Sequence, residues 1–180
     1  MFDVIKGNTA LINTLTSLST KDGVTLGADN YGNAQHWFEL SSPSHLTAAA
    51  AALKDMSARL SLISGYSRAS QPDAEEAPFA ACYNFVLDSV IYNITAIITK
   101  KEPQVPTITP WFANADWHER EMMELVGITV AHQPNPNRLF LDASLDQGML
   151  SRLVPLSVMM NGACTKDLWE RILSSKEGSH

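Results

Sequence analysis

Ala80-Ala81-Cys82-Tyr83-Asn84-Phe85-Val86-Leu87-Asp88-Ser89-Val90-Ile91-Tyr92-Asn93-Ile94-Thr95-Ala96-Ile97-Ile98-Thr99 is the stretch that sets the fold class. Tyr83, Phe85 and Leu87 alternate with Asn84 and Val86. Tyr92, Ile94, Ala96 and Ile98 alternate with Asn93, Thr95 and Ile97. Period-two alternation belongs to strands with one buried face. The short Asp88-Ser89 break between the runs predicts two strands, Ala80 to Leu87 and Val90 to Thr99, in an antiparallel pair.

Upstream, Arg59-Leu60-Ser61-Leu62-Ile63-Ser64-Gly65-Tyr66 reads as a third strand, joined to the pair by a polar loop, Ser67 to Pro78, with Asp73, Glu75 and Glu76. Before it, Pro43-Ser44 signals a helix start. Ser44 is the candidate N-cap, and Leu46, Ala49, Ala50, Leu53 and Met56 share one face. The alanine run Ala48 to Ala52 suits a helix packed closely on a sheet, because alanine has high helix propensity and little bulk. Val24-Thr25-Leu26 and His36-Trp37-Phe38-Glu39-Leu40 flank the turn-rich Asp29-Asn30-Tyr31-Gly32-Asn33, a hairpin pattern. Phe2, Ile5, Leu11, Ile12, Leu15 and Leu18 recur at helical spacing, so the first ~18 residues read as an amphipathic helix ended by Lys21-Asp22-Gly23.

Downstream, Pro103, Pro106 and Pro110 predict an extended segment without long regular structure. A helix follows. Asp116 is its candidate N-cap, Glu119 stands at the capping-box position, and Gly127 is the candidate C′ residue. About eleven residues give roughly 16 Å of helix. A short strand (Ile128 to Val130), a Pro-rich turn (Gln133 to Asn137), Arg138-Leu139-Phe140-Leu141 and a last helix (Lys166 to Leu173, capped by Thr165) complete the chain. The expected fold class is therefore α+β, a mostly antiparallel sheet with helices packed on one face.

On a wheel at ~100° per residue, the helix after Asp116 has an apolar sector centred on His118, Met122 and Leu125, with Trp117 and Val126 at its flanks. Arg120 and Glu124 fall on the polar side. Glu119 and Glu121 lie at the sector's edges, where a carboxylate must be solvated, paired or hydrogen-bonded. The bland reading makes Glu119 a capping-box residue and pairs Glu121 with Arg138 or Arg152. The alternative turns one of the two acids toward a partner protein. General acid–base work lacks an accompanying nucleophile or metal set.

Composition narrows the function classes. A chain of 180 residues with 45% hydrophobic and 18% charged residues suits one domain, 1–180, that buries roughly 70% of its unfolded surface without a disulfide or metal. A net charge of −6 argues against nucleic acid or anionic lipid as partner, since both select basic faces. Cys82 and Cys164 are too few for an iron–sulfur cluster or a structural zinc, which need four ligands, so this chain alone is expected to supply neither. They read as reduced structural cysteines of a cytoplasmic protein. No apolar run reaches the ~18 residues of a membrane span, and Met1-Phe2-Asp3-Val4 does not open a signal peptide. His118-Glu119 lacks the second histidine of H-E-x-x-H, because position 122 is Met. G-x-S-x-G, Walker A and G-x-G-x-x-G are absent. Trp37, Trp111, Trp117 and Trp169 suit core or interface positions, and Met159-Met160 suits packing.

The stretch Pro103-x-x-Pro106-Thr107-Ile108-Thr109-Pro110, then Ala113, Ala115-Asp116-Trp117, Glu119-Arg120-Glu121, Glu124-Leu125 and Gly127-Ile128 resembles the signature of the respiratory-chain NADH dehydrogenase 30-kilodalton family of complex I. That signature runs roughly P-x-x-P-S-V-T, a spacer, A-x-W-x-E-R-E and D-x-x-G-I. Gln133-Pro134-Asn135-Pro136-Asn137-Arg138-Leu139-Phe140-Leu141 is similar to the Pro turn, arginine pair and leucine-rich strand that follow in the family. Glu124 stands for the usual Asp, Val126 for an aromatic, Asn137 for one arginine and Asn135 for an acid. Ser151-Arg152-Leu153-Val154-Pro155-Leu156 is at most a relic of the later family motif. The resemblance thus implies a family-like core over about 1–145 and a divergent C-terminal extension, 146–180, and the departures fit a divergent relative from an energy-converting NiFe hydrogenase or formate hydrogenlyase-type complex better than a conventional complex I subunit.

It further implies a non-catalytic, cofactor-free structural subunit of an electron-transfer complex. Such a subunit packs against the large catalytic (NiFe-type or quinone-site) subunit, near the iron–sulfur subunits, and is peripherally membrane-associated through the complex. Trp117, Glu119, Arg120, Glu121, Gly127, Ile128, Pro134 and Arg138 would be its structural and interface anchors. The competing expectation is a stand-alone assembly or small-molecule-binding protein that kept the fold and left the complex.

Overall fold

The structure is a computed structural model, and residues 7–68, 79–99 and 103–140 are described. Phe2 and Ile5, the loop acids Asp73, Glu75 and Glu76, Arg152, Cys164, the last helix and the 146–180 extension lie outside them.

Asn8 starts the first helix, α1 (Thr9–Leu18), by accepting the N–H groups of Ala10 and Leu11 on its side chain. The Asn8 N–H in turn donates to the Tyr92 hydroxyl, 3.1 Å away, which fixes the helix entry to the sheet. Leu11, Ile12 and Leu15 are buried. The chain then turns directly into β1 (Ser19–Ala28), so Lys21-Asp22-Gly23, expected as the break after the helix, lies inside the strand, where the pairing register shifts between Ser19 and Val24. β1 pairs antiparallel with β2 (Ala34–Leu40) across a tip in which the Asp29 carboxylate accepts the N–H groups of Tyr31 and Asn33.

The second helix, α2 (Leu46–Asp55), follows a single 3-10 turn, Pro43–His45. Here the expected cap is displaced. Ser42, not Ser44, accepts a backbone N–H, that of Ser44. The proline begins a tighter turn before the α-helix, so Ser44 sits inside it. Leu46, Ala49, Ala50 and Leu53 are buried as expected, whereas Met56, just past the helix end, is exposed.

β3 (Arg59–Ser67), β4 (Phe79–Leu87) and β5 (Val90–Ile98) complete a five-stranded sheet in the order β1-β2-β5-β4-β3. The β4–β5 hairpin closes on Asp88 and Ser89, both at positive φ (49° and 63°), the twist that a two-residue hairpin loop requires. All pairings are antiparallel except β2 with β5.

The register sorts the sheet into two faces. Phe38, Ile63, Tyr83, Phe85, Tyr92, Ile94 and Ile98 are buried on the helix side. On the other side Trp37 is opposite Asn93, Leu62 opposite Asn84 and Tyr66 opposite Ala80, and these three large side chains are about half exposed. Asn84 donates to Asn93, and Asn93 donates to the His36 carbonyl, so the polar positions on this open face satisfy one another. The α+β expectation holds.

The last described elements are β6 (Gln104–Pro106), α3 (Ala115–Val126) and β7 (Thr129–Ala131), with β6 and β7 in a parallel two-stranded ribbon. α3 packs on β3 at Gly65. A Cβ there would come within 2.6 Å of Met122 Cγ, so the missing side chain lets helix and strand approach. The Asn114 side-chain amide donates to the Leu60 carbonyl and ties the helix start to the same strand. Gly127 ends α3 in the left-handed conformation (φ 83°), its N–H donating to Met123 O, as the C′ expectation requires. Among the described residues, no helix is long and apolar enough to cross a membrane.

Candidate structural and interface site

The wheel for α3 needs rotating. Its buried residues are Ala115, Glu119, Met122 and Glu124, whereas Trp117 is 60% exposed and His118 and Leu125 are only half-buried. Hydrophobicity placed Trp117, His118 and Leu125 inward and Glu124 outward. The structure instead buries two carboxylates, because each meets hydrogen-bond donors from a neighbouring segment.

Glu119 is fully buried. Its carboxylate accepts from Thr107 Oγ1 at 2.6 Å, the Ile108 N–H at 2.7 Å, Gln133 Nε2 at 2.9 Å and Thr109 Oγ1 at 3.1 Å. It is therefore no capping-box residue. α3 begins two residues earlier than expected, at Ala115, and its N-cap Asn114 makes no side-chain cap bond. Asp116 lies in the first turn and pairs with Arg120 at 3.5 Å. Glu119 ties α3 to the residues after β6 and after β7, which are already joined by the Thr107 N–H to Ala131 O bond. Burial pushes its carboxyl above the ordinary value of 4.5, while the Thr107, Ile108 and Thr109 hydrogen bonds oppose the shift. The Tyr83 hydroxyl is buried without a hydrogen-bond partner among the described residues, and its ionisation is pushed far up, first by burial and then by the charge of Glu119.

Glu124, 2% exposed, accepts the N–H groups of Leu139 and Phe140 at 3.1 and 3.0 Å. One helical turn earlier, the Arg120 guanidinium donates to the carbonyls of Asn137 and Arg138 at 2.9 and 3.0 Å. These two side chains hold residues 137–140 against α3 by their backbone. Sequence reasoning missed this because it treated both as solvent-facing. The missing signal was a polar segment with no partner strand, whose amides and carbonyls require charged side chains. Leu139 and Phe140 accordingly form bends, and Arg138–Phe140 contains no strand.

The clamp sets Phe140 edge-on against Trp117, with ring centroids 6.4 Å apart and planes at 72°. Phe140 is 62% exposed. Glu121, half-buried, has no hydrogen bond or ion pair among the described residues, so the pairing with Arg138 is not formed. Arg138 meets α3 through its carbonyl, and Arg152 lies outside the described residues. Ile128 is buried directly after Gly127. Pro134 follows Gln133, whose side chain both donates to Glu119 and accepts the Asn135 N–H. Among the expected anchors, then, Glu119 and Ile128 are buried, Arg120, Glu121 and Gly127 are half-buried, Trp117 faces outward, Pro134 is exposed in the turn before the clamped segment, and Arg138 lies within that segment.

The arrangement suits structural work. Glu119 and Glu124 are inaccessible to a substrate and engaged as acceptors. Among the described residues, no group of three or more His, Cys, Asp or Glu is placed to hold a metal ion. Cys82 is buried and free, its thiol pushed up by burial.

Residues 40–161 match the family described as respiratory-chain NADH dehydrogenase, 30 Kd subunit. The C/D subunit of NADH-quinone oxidoreductase from Photorhabdus laumondii is 43% identical over 64 residues, covering 29% of this chain and 11% of that protein. The C subunit of the Maricaulis maris enzyme is 37% identical over 59 residues, 33% of this chain and 30% of that protein. Its counterpart from Vesicomyosocius okutanii is 31% identical over 87 residues, 44% and 42% of the two chains. The chain thus matches less than half the length of each of these relatives. Two solved structures share the fold. The trypsin-resistant fragment (1-134) of Nqo5 has a TM-score of 0.50 at 21% identity, covering 70% of this chain and 96% of that one. A chain of the membrane-bound sulfane sulfur reductase, an archaeal respiratory membrane complex, has a TM-score of 0.54 at 10% identity, covering 87% and 92%.

Proposed function

This chain belongs to the respiratory-chain NADH dehydrogenase 30 Kd subunit family, and from that premise we propose that it is a non-catalytic structural subunit of a complex I-like or related membrane electron-transfer complex. It packs against the large catalytic subunit, of quinone-site or NiFe type, close to the iron–sulfur subunits. It carries no redox group of its own and reaches the membrane through the other chains. The family-like core spans about 1–145 and 146–180 is a divergent C-terminal extension, the first part of which, to residue 161, still falls within the family match.

The observation that carries the reading is the family match over residues 40–161, which includes the whole α3 signature. The local chemistry supports it. The signature acids Glu119 and Glu124 act as acceptors that fasten α3 to two neighbouring segments, a framework role and not a reactive one.

Affinity purification of the tagged full chain from its native cells in mild detergent, with mass spectrometry of the recovered proteins, tests the proposal. A large quinone-site or NiFe-type subunit with iron–sulfur and membrane subunits is the expected result. Recovery of the chain alone, from cells that make such a complex, refutes it and favours a stand-alone protein.

A further inference from the structure

Residues 137–140 contribute little to the core, yet they are held firmly. Glu124 fixes the amides of Leu139 and Phe140, and Arg120 fixes the carbonyls of Asn137 and Arg138. The product of this ordering is a Trp117–Phe140 pair whose rings stay about 60% exposed. Ordering a segment costs conformational entropy, and here little apolar burial offsets it. A rigid exposed tryptophan is, however, what a binding hot spot uses, because its conformational cost is met before the partner arrives.

The charges around the pair are sorted as well. Asp116 is paired with Arg120, and Glu119 and Glu124 are engaged inside. Glu121, one helical turn from Trp117 and on the same side of α3, has no hydrogen bond or ion pair among the described residues. It is the carboxylate this face leaves for an outside cation.

We propose that Trp117, Phe140 and Glu121 form a docking surface for a partner protein that presents an apolar recess flanked by an arginine or lysine. The inference rests on the subunit reading above and specifies which face of the chain makes the contact. The cation meets Glu121 and can stack on the Trp117 ring, a geometry that arginine favours. A second copy of this chain is a poor occupant, since it brings the same unpaired acid and a net charge of −6 to the contact.

The test uses the tagged full chain in native cells, with Trp117 replaced by photoreactive p-benzoylphenylalanine in one strain. Trp117→Ala, Glu121→Lys and Glu121→Gln are expressed in others. Circular dichroism and thermal melting of the purified variants are expected to match wild type, because Trp117 is exposed and the half-buried Glu121 makes no hydrogen bond or ion pair among the described residues. The expected result is a cross-link from position 117 to a different subunit. Trp117→Ala should lower recovery of partner chains roughly 30-fold, and Glu121→Lys should lower it more than Glu121→Gln. Cross-links confined to this chain, whether to residues 141–180 or to a second copy, overturn the proposal. So does undiminished recovery by Trp117→Ala and Glu121→Lys while wild type brings the complex down. Wild type recovering no partner at all is a different outcome, which refutes the subunit reading and this surface with it.

Discussion

Glu124 Oε2 lies 3.0 Å from the amide nitrogen of Phe140, sixteen residues further along the chain. A buried carboxylate on a helix thereby sets the path of the segment that follows the Pro-rich turn. The same oxygen takes the Leu139 N–H at 3.1 Å, so both orphan amides are satisfied by one side chain.

Glu124→Ala is expected to destabilise the fold by about 2–3 kcal/mol, the usual loss when hydrogen bonds to a charged acceptor are removed and buried donors are left unmet. Glu124→Gln keeps one acceptor oxygen and should cost about half as much. Hydrogen exchange should locate the effect, with faster exchange at the Leu139 and Phe140 amides in both variants. Unchanged exchange there would show that the clamp does not depend on this carboxylate.

Glu119 makes a sharper, pH-dependent prediction. Glu119→Ala leaves the donors of Thr107, Ile108, Thr109 and Gln133 facing a void and should cost roughly 3 kcal/mol or more. Burial raises the folded carboxyl above 4.5, so between 4.5 and that raised value the folded state binds more protons than the unfolded state. The stability linked to this proton is fully present below about pH 4.5 and is lost as pH rises through the folded value. Glutamine cannot titrate. The stability difference between wild type and Glu119→Gln should therefore favour wild type more at pH 4 than at pH 7, measured by urea unfolding at each pH. A difference that grows toward neutral pH would mean that the surrounding donors outweigh burial.

Gly65 and Met122 should behave as a coupled pair. Gly65→Ala places a methyl group 2.6 Å from Met122 Cγ, an overpacking expected to cost about 1–3 kcal/mol. Met122→Ala alone opens a cavity and also destabilises. In the double variant the new methyl occupies part of that space, so the combined loss should fall short of the sum of the single losses by more than about 0.5 kcal/mol in a thermodynamic cycle. Strict additivity would contradict the close approach of α3 to β3.

Gly127→Ala should cost about 1 kcal/mol, because the residue sits at φ 83°, where a Cβ is strained. Asparagine tolerates this region better, so Gly127→Asn should cost less. Equal losses in thermal unfolding would argue against backbone conformation as the cause.

The strands were legible wherever a sheet face alternates, as in Tyr92, Ile94, Ala96 and Ile98, because burial on one face writes itself into a period of two. The αL end at Gly127 was legible because one residue type dominates that geometry. The parallel pairing of β2 with β5 was not, since His36 opposite Tyr92 depends on how a long crossover returns. The inward face of α3 was misread for a related reason. Hydrophobicity ranks Glu119 and Glu124 as outward residues, and only the folded positions of Thr107, Ile108, Thr109, Gln133, Leu139 and Phe140 show why both can be buried. Ser44 and Asp116 fit cap patterns, yet local geometry moved each helix start by a residue or more. Trp117 was named as an anchor from the family resemblance; its exposure and its pairing with Phe140 came only from the structure.

The measurement that bears most directly on the subunit assignment is blue-native electrophoresis of detergent-solubilised native membranes, probed for the tagged chain. This 19.7 kDa protein is expected to migrate in a complex of several hundred kilodaltons together with iron–sulfur proteins, and to stay with the membrane fraction through detergent-free washing. Migration at its own mass, in cells whose respiratory complexes are intact on the same gel, would contradict it.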